Sequence, residues 1–222
     1  MTILITGANR GIGLELVTHY LAAGETIIAT TRRDIPTGLE DRVEWHQLDV
    51  TQQSDFERLN QALDGRAVDL LICNAGVYLD KGQSLADGYP PECWADTFAA
   101  NVMGPFLSVQ NLLPNLQAAK AARIAVIASR MGSNTAATGG AYIYRASKAA
   151  AINLVTNLAL DLAHLNIAVG AYHPGWVTTD MGGQGADIDP QTSAAGLIEQ
   201  IAALNLENSG CFQSYDGTPL PY

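Results

Sequence analysis

A parallel, doubly wound α/β sheet of about seven strands, with helices on both faces, is the fold this sequence predicts. Three observations carry the expectation. Short apolar or β-branched runs alternate with helical apolar patterns from one end to the other. Several of those runs stop in small or polar residues, at Gly7, Asn74 to Gly76, Ser129 and Pro174 to Thr179, so candidate ligand contacts gather at the C-terminal ends of strands. No internal repeat, low-complexity tract or linker interrupts the chain, so residues 1–222 are expected to form one domain.

Composition narrows the function. Hydrophobic residues make up 48% and charged residues 15%, a globular balance with ample chain for a full core. A formal charge of -10 argues against nucleic acid and anionic membrane as partners. No window reaches the apolar length of a membrane span. Met1 leads straight into Thr-Ile-Leu-Ile-Thr-Gly with no basic n-region, so a cytoplasmic location is expected. Cys73, Cys93 and Cys211 are odd in number and far apart, which suits reduced thiols. The four histidines are scattered and none forms H-x-x-x-H, so no metal site is expected.

Thr2 to Thr6 is a buried strand by its β-branched run, ended by Gly7. It feeds Gly7-Ala8-Asn9-Arg10-Gly11-Ile12-Gly13, after which Leu14, Leu16, Val17, Tyr20 and Leu21 mark one helix face, closed at Gly24. Glycines let the backbone approach a pyrophosphate, and a helix N-terminus offers unpaired N–H groups. A tight βα turn with no ligand would be written with the same residues. Thr26 to Thr30 is the second strand. Rossmann folds that select NAD place an acid at this strand end; here Thr31 holds that position and Arg32 follows, which suits a 2′-phosphate and hence NADP. Two other readings stay open: Arg32 and Arg33 as solvated surface charges, and Asp34 as a sign of NAD.

About a dozen residues lead to the third strand, Val43 to Leu48, too few for a full crossover helix with its loops. Asp49-Val50-Thr51 follows, with Thr51 expected to cap a helix carrying Phe56, Leu59 and Leu63. Val68 to Cys73 is a fully apolar fourth strand stopped by Asn74-Ala75-Gly76, and Tyr78 to Pro91 reads as a loop. Glu92 to Ala119 reads as a helix with a kink or break at Gly104-Pro105. Asn101 lies just before that break, where a polar residue can be no more than a cap. Arg123 to Ala128 is the fifth strand, with Ser129 at its end.

The helix from Ile143 to Leu165 is apolar over so wide an arc that the sheet alone does not cover it. That arc, with the one around Asn101 to Ala119, leads us to expect a homodimer or homotetramer. Ile167 to Tyr172 is the sixth strand and runs into His173-Pro174-Gly175-Trp176-Val177-Thr178-Thr179. Gly182 to Asp189 is glycine-rich, either a mobile lid or an ordinary surface loop. A helix from Gln191 to Leu204 and a strand from Gly210 to Tyr215 close the chain.

Tyr144 and Lys148 are four residues apart, so on a helix their side chains lie one above the other. A free phenol keeps its proton to a pKa near ~10. An ammonium about 4 Å away, at an effective dielectric of roughly 20, favours the phenolate by about 4 kcal/mol, or roughly three pK units. An acid/base tyrosine working near neutral pH is therefore expected. Ser129 can donate a hydrogen bond to the same substrate oxygen, which makes this chemistry on a carbonyl or an alcohol. With 8 Tyr and three Lys in the chain, chance is the competing account of Tyr-x-x-x-Lys, and the other motifs at the same sheet edge weigh against it. Tyr78, Trp94, Met131, Tyr142, Trp176 and Met181 either line an apolar substrate pocket or serve as core and surface.

With these motifs in this order, the chain resembles the short-chain dehydrogenase/reductase family over nearly its whole length. The family's T-G-x-x-x-G-x-G matches Thr6 to Gly13, its D-V matches Asp49-Val50 and its N-A-G matches Asn74 to Gly76. Its helix asparagine matches Asn101, its S-x-x-G Ser129 to Gly132, its Y-x-x-x-K Tyr144 to Lys148, and its P-G-x-x-x-T Pro174 to Thr179. The Tyr-Arg-Ala-Ser-Lys core and the ending Tyr-Asp-Gly-x-x-Leu-Pro look like the C-factor and sniffer type of carbonyl reductase.

The resemblance implies a Rossmann-like fold and hydride transfer between a nicotinamide and a small-molecule carbonyl or alcohol. Tyr144 would be the general acid or base, Lys148 would lower its pKa and bind the nicotinamide ribose, Ser129 would hold the substrate oxygen, and Asn101 would anchor a relay water. The implied cofactor set is Gly7, Asn9, Arg10, Gly11, Ile12 and Gly13; Arg32; Asp49 and Val50, with Asp49 at the adenine; Asn74, Ala75 and Gly76 on the adenosine side; and Pro174, Gly175, Val177 and Thr179, the last at the carboxamide. Three departures stand out. Ala128 replaces a frequent first serine. The spacing from Ser129 to Tyr144 is longer than usual, so the loop must bulge, with Ser133 as the fallback donor. The shortened second crossover opens the adenine side. A non-enzymatic NADP(H)-sensing regulator is the alternative function; it would not require Asn101, Ser129, Tyr144 and Lys148 together.

Overall fold

The computed structural model describes every residue except Gln184. Among the described residues, seven strands form one parallel sheet: β1 (Thr2–Ile5), β2 (Thr26–Thr31), β3 (Glu44–Gln47), β4 (Leu70–Cys73), β5 (Arg123–Ile127), β6 (Ala168–His173) and β7 (Phe212–Ser214). Their order in the sheet is β3-β2-β1-β4-β5-β6-β7. Every strand expected from the sequence is present, with ends moved by a residue or two.

Alternation along the strands explains why helices cover both faces. Ile3 and Ile5 of β1 face one layer, with Leu16 and Val17 of α1 (Gly11–Ala22) and Leu197 and Ile201 of α6 (Pro190–Ala202). Leu4, between them, faces the other, with Phe56 of α2 (Gln53–Leu63), Leu112 of α4 (Gly104–Gln117) and Val155 of α5 (Tyr142–Leu162). Burying one such side chain contributes roughly 1.5–3 kcal/mol, so the two layers hold the strand ends firmly in place. The chain passes outward from β1 through β2 to β3, then returns to place β4 on the other side of β1. That reversal opens a crevice at the C-terminal edge between β1 and β4.

Between β2 and β3 the chain makes only turns, as its length predicts. The expected break near Gly104-Pro105 takes a specific form: α3 (Pro91–Phe98) and α4 are joined by a π-helical turn over Ala99–Met103. Pro105 stands four residues after Asn101 and brings no N–H, so the α-helical partner of the Asn101 carbonyl is missing. One expectation fails. Thr51 does not cap α2, which starts at Gln53 after Gln52. Its N–H and hydroxyl instead both donate to Asp49 Oδ1, at 3.0 and 2.8 Å, because an aspartate two residues back offers a closer acceptor than the helix offers donors. Among the described residues, no helix is long and apolar enough to cross a membrane. The expected lid or loop, Gly182 to Asp189, contains Gln184, which lies outside the described residues.

Candidate active site

A cavity of about 450 Å³ follows the C-terminal edge of the sheet from Arg32 to Tyr144. Its floor is the glycine turn between β1 and α1. Gly7 and Gly11 have φ of 64° and 54°, left-handed values that favour glycine. A Cβ on Gly13 would lie 2.5 Å from both the Gly7 carbonyl oxygen and Asn74 Nδ2. The turn is thus as tight as backbone packing allows, and no side chain caps the start of α1. Asn74 braces it: Nδ2 donates to the carbonyls of Thr6 and Gly7 at 3.0 and 2.9 Å, while Thr6 Oγ1 accepts the N–H groups of Asn74 and Ala75 at 3.1 Å. The side chain of Asn74 is therefore committed to the turn, and only the outer surface of Asn74 to Gly76 lines the cavity.

At the far end, the expected adenine side, Arg32 Nη1 lies 3.3 Å from Asp49 Oδ2, and Arg33, Asn9 and Arg10 also border the space. Burial pulls the Asp49 carboxyl up, but its bonds from Thr51 and Arg32 outweigh that and hold it below the usual range. Asp34 does not line the cavity. The guanidinium, not a carboxylate, is what the end of β2 presents.

At the near end, α5 carries Tyr144 and Lys148, both buried and both lining the cavity. Ser129, at the end of β5, starts the short 3-10 turn Arg130–Gly132, and its Oγ accepts the Met131 N–H at 3.1 Å. Its hydroxyl also faces the Tyr144 phenol and favours the ionised form. The long Ser129–Tyr144 loop does bulge: Gly139, Gly140 and Ala141 have φ of 76°, 67° and 47°. Arg145 pins that bulge through Ala136 O at 3.2 Å and Thr138 Oγ1 at 2.6 Å. The fallback donor Ser133 is turned to Thr135 Oγ1 at 2.9 Å.

The expected electrostatics of the pair need correcting. The Tyr144 hydroxyl is not lowered toward neutrality but pushed up to about 12, first by burial and then by Tyr78 and Asp80, with only Ser129 opposing. Lys148 is itself pulled down to about 8 by burial. Its Nζ donates to Ile127 O at 2.8 Å and lies 5.7 Å from the Tyr144 ring centroid. Helical spacing brings the two residues to one face, but the dryness of the site penalises both charges.

Asn101, Ser129, Gly175 and Val177 do not line the cavity. Asn101 sits behind it in the π turn: Oδ1 accepts Val77 N–H at 2.8 Å, and Nδ2 donates to Val77 O and Ser147 Oγ at 2.9 and 3.0 Å. Gly175, with φ of 86°, turns the chain against Ile188, and Val177 is buried and bridges to the same residue. Pro174 and Thr179 do reach the cavity, and Asp180 beside them pairs with Arg10 at 2.5 Å across its mouth. Sequence reasoning missed Asp80 and the role of Tyr78, whose ring stacks on Tyr144 with centroids 4.3 Å apart. No local pattern signals either contact, because both join a loop to a helix more than sixty residues further on.

The model of the short chain dehydrogenase family matches residues 1–187. The C-signal protein of Myxococcus xanthus is 42% identical over 157 residues, 70% of this chain and 93% of its own. Among solved structures, the NADPH-bound carbonyl reductase from chicken fatty liver superposes with a TM-score of 0.90 at 29% identity, covering 100% of this chain and 98% of that one. The carbonyl reductase Sniffer of D. melanogaster does so with a TM-score of 0.91 at 30% identity, covering 100% and 99%. Sequence and backbone thus agree over the chain, which belongs to the short-chain dehydrogenase/reductase family of NAD(P)-dependent enzymes, in its C-factor/sniffer type.

Proposed function

We propose that this protein is an NADP(H)-dependent reductase of aldehydes or ketones, with the whole chain acting as one cofactor-binding and catalytic domain. The observation that carries the reading is one cavity with a guanidinium at one end and Tyr144 with Lys148 at the other. The residues fit a dinucleotide. At Gly7 and Gly13 the turn leaves no room for a Cβ, and backbone N–H groups at the start of α1 would meet the pyrophosphate. Arg32, already beside Asp49, would meet the 2′-phosphate, and the absence of Asp34 from the cavity lining favours NADP over NAD. Thr179 and Pro174 would flank the nicotinamide, which supplies the hydride when bound.

Tyr144 is the proton donor in reduction. A buried phenol keeps its proton until an oxygen with developing negative charge arrives, and Ser129 then shares the load by hydrogen bonding. Lys148 assists from one turn further along the same helix face, its own depressed pKa making it a ready proton carrier. The amide of Asn101 is committed to Val77 and Ser147, so a relay water would meet its main-chain carbonyl instead. The test is NADPH consumption with a panel of aromatic and aliphatic carbonyls, followed by Tyr144→Phe. A variant that turns over at the wild-type rate would refute the assignment. We further propose a homodimer or homotetramer, since Met103 at the end of the π-helical turn, Phe106 on α4 and Leu160 on α5 stay exposed; sedimentation giving only a 23.5 kDa species would exclude it.

A further inference from the structure

The carboxylate of Asp80 is buried at the N-terminus of α5 without being part of that helix. Asp80 follows β4 by seven residues, in the turn after Tyr78, and is 1% exposed. Its Oδ2 accepts the N–H of Ile143 at 2.8 Å, and Oδ1 and Oδ2 lie 3.2 and 3.4 Å from the N–H of Tyr144. The helix provides no cap of its own. Its N-cap position is Ala141, with φ of 47° and no side-chain oxygen. The first N–H groups of a helix have no intrahelical partner, and a carboxylate placed on them also meets the positive end of the helix dipole.

The same turn touches the site twice more. Tyr78 stacks its ring on that of Tyr144, and Lys81 donates to Met181 O at 2.9 Å on the opposite wall. The loop after β4 therefore holds the backbone of Tyr144, its ring and the facing loop at once.

We propose that Asp80 is a positioning residue for the reaction: by accepting the backbone N–H of Tyr144 it sets the first turn of α5, and with it the place of the phenol hydroxyl opposite Ser129 and Lys148. The inference rests on Tyr144 being the proton donor. The groups facing that phenol are Lys148 from its own helix, Ser129 from the end of β5, and Tyr78 and Asp80 from the loop after β4. The Asp80 charge opposes ionisation of the phenol, as Tyr78 does, while Ser129 favours it.

The test uses the full-length enzyme with NADPH and 4-nitrobenzaldehyde, comparing wild type, Tyr144→Phe, Asp80→Ala and Asp80→Asn. Asp80→Ala is expected to lower kcat about 10- to 100-fold, the range that follows a misplaced catalytic group, with KM and NADPH affinity near wild type. Asp80→Asn keeps an acceptor and should recover most of kcat. Because it removes the negative charge, the alkaline limb of its reduction profile should move to lower pH. Should Asp80→Ala not fold, as judged by circular dichroism, Asp80→Asn decides. A folded Asp80→Asn that loses as much kcat as Asp80→Ala overturns the proposal, as does a folded Asp80→Ala with wild-type kcat. Either result beside an inactive Tyr144→Phe leaves the Tyr144 reading intact; a fully active Tyr144→Phe overturns both.

Discussion

Lys148 Nζ donates to the main-chain carbonyl of Ile127 at 2.8 Å, tying α5 to the last residue of β5. That bond holds a buried ammonium at the spot where the sheet edge opens, and burial pulls its pKa from 10.5 to about 8. Between those two values the unfolded chain binds the proton that the folded chain has released, so this residue's contribution to stability rises with pH from about 8 to 10.5. Below the window the buried charge costs up to about 3 kcal/mol. Lys148→Met is therefore expected to be more stable than wild type at neutral pH, with the gap closing as pH rises through the window, while reductase activity is lost. Urea unfolding of both proteins across that range checks it. A variant less stable than wild type at neutral pH would mean that the Ile127 bond outweighs the burial cost.

Ser129 acts on the phenol in the opposite sense to burial. Tyr144, pushed up to about 12, stays protonated through neutral pH, which suits reduction, whereas alcohol oxidation needs the phenolate and should rise with pH. Ser129→Ala removes the hydrogen bond that lowers the Tyr144 pKa. The rise in oxidation should move to higher pH, and kcat should fall by about 10²- to 10³-fold, as for loss of one oxyanion donor. Steady-state pH profiles in both directions measure the shift and the loss. An unshifted profile would show that Ser129 does not bear on the phenol.

Much of this site was legible from the chain alone, for reasons that differ by residue. Gly7, Gly11 and Gly13 are readable because a positive φ or a missing Cβ leaves its mark in residue identity. Tyr144 and Lys148 are readable because helical spacing places both on one face. Spacing does not say how dry that face is, which is why the expected lowering of the phenol failed against burial. Asn101 was readable as lying beside a helix irregularity, but its bonds to Val77 and Ser147 are tertiary. Asp80 left no trace, because a cap supplied from a distant loop has no sequence pattern at the helix it caps.

Arg32 and Asp49 form a pair that is half open to solvent, and such pairs add only about 0–1 kcal/mol to stability. Arg32→Ala should accordingly unfold at nearly the wild-type denaturant midpoint. Its effect belongs to the cofactor: loss of a charge-assisted contact of about 1.5–3 kcal/mol should weaken NADPH binding about 10- to 100-fold. NADH, which has no 2′-phosphate, should bind about as before. Fluorescence titration with both nucleotides gives the ratio, and an equal loss for the two would remove Arg32 from the 2′-phosphate site.

Gly132 sets the distance between the Ser129 turn and α5. A Cβ there would lie 2.6 Å from the Lys148 carbonyl carbon and 2.7 Å from Ala149 N, both backbone atoms, so neither side can yield by rotating a side chain. Gly132→Ala must push the turn away from the helix, and Ser129 with it, at a cost of about 1–3 kcal/mol from overpacking. A comparison variant separates stability from alignment. Gly65 has φ of 72° and open space around it, so Gly65→Ala costs about 1–2 kcal/mol through backbone strain far from the cavity. The two variants should lose similar stability in urea, yet only Gly132→Ala should lose kcat, by up to about 10²-fold for a shift near 1 Å. Equal activity in both would mean that the turn and α5 can separate without moving Ser129 from the phenol.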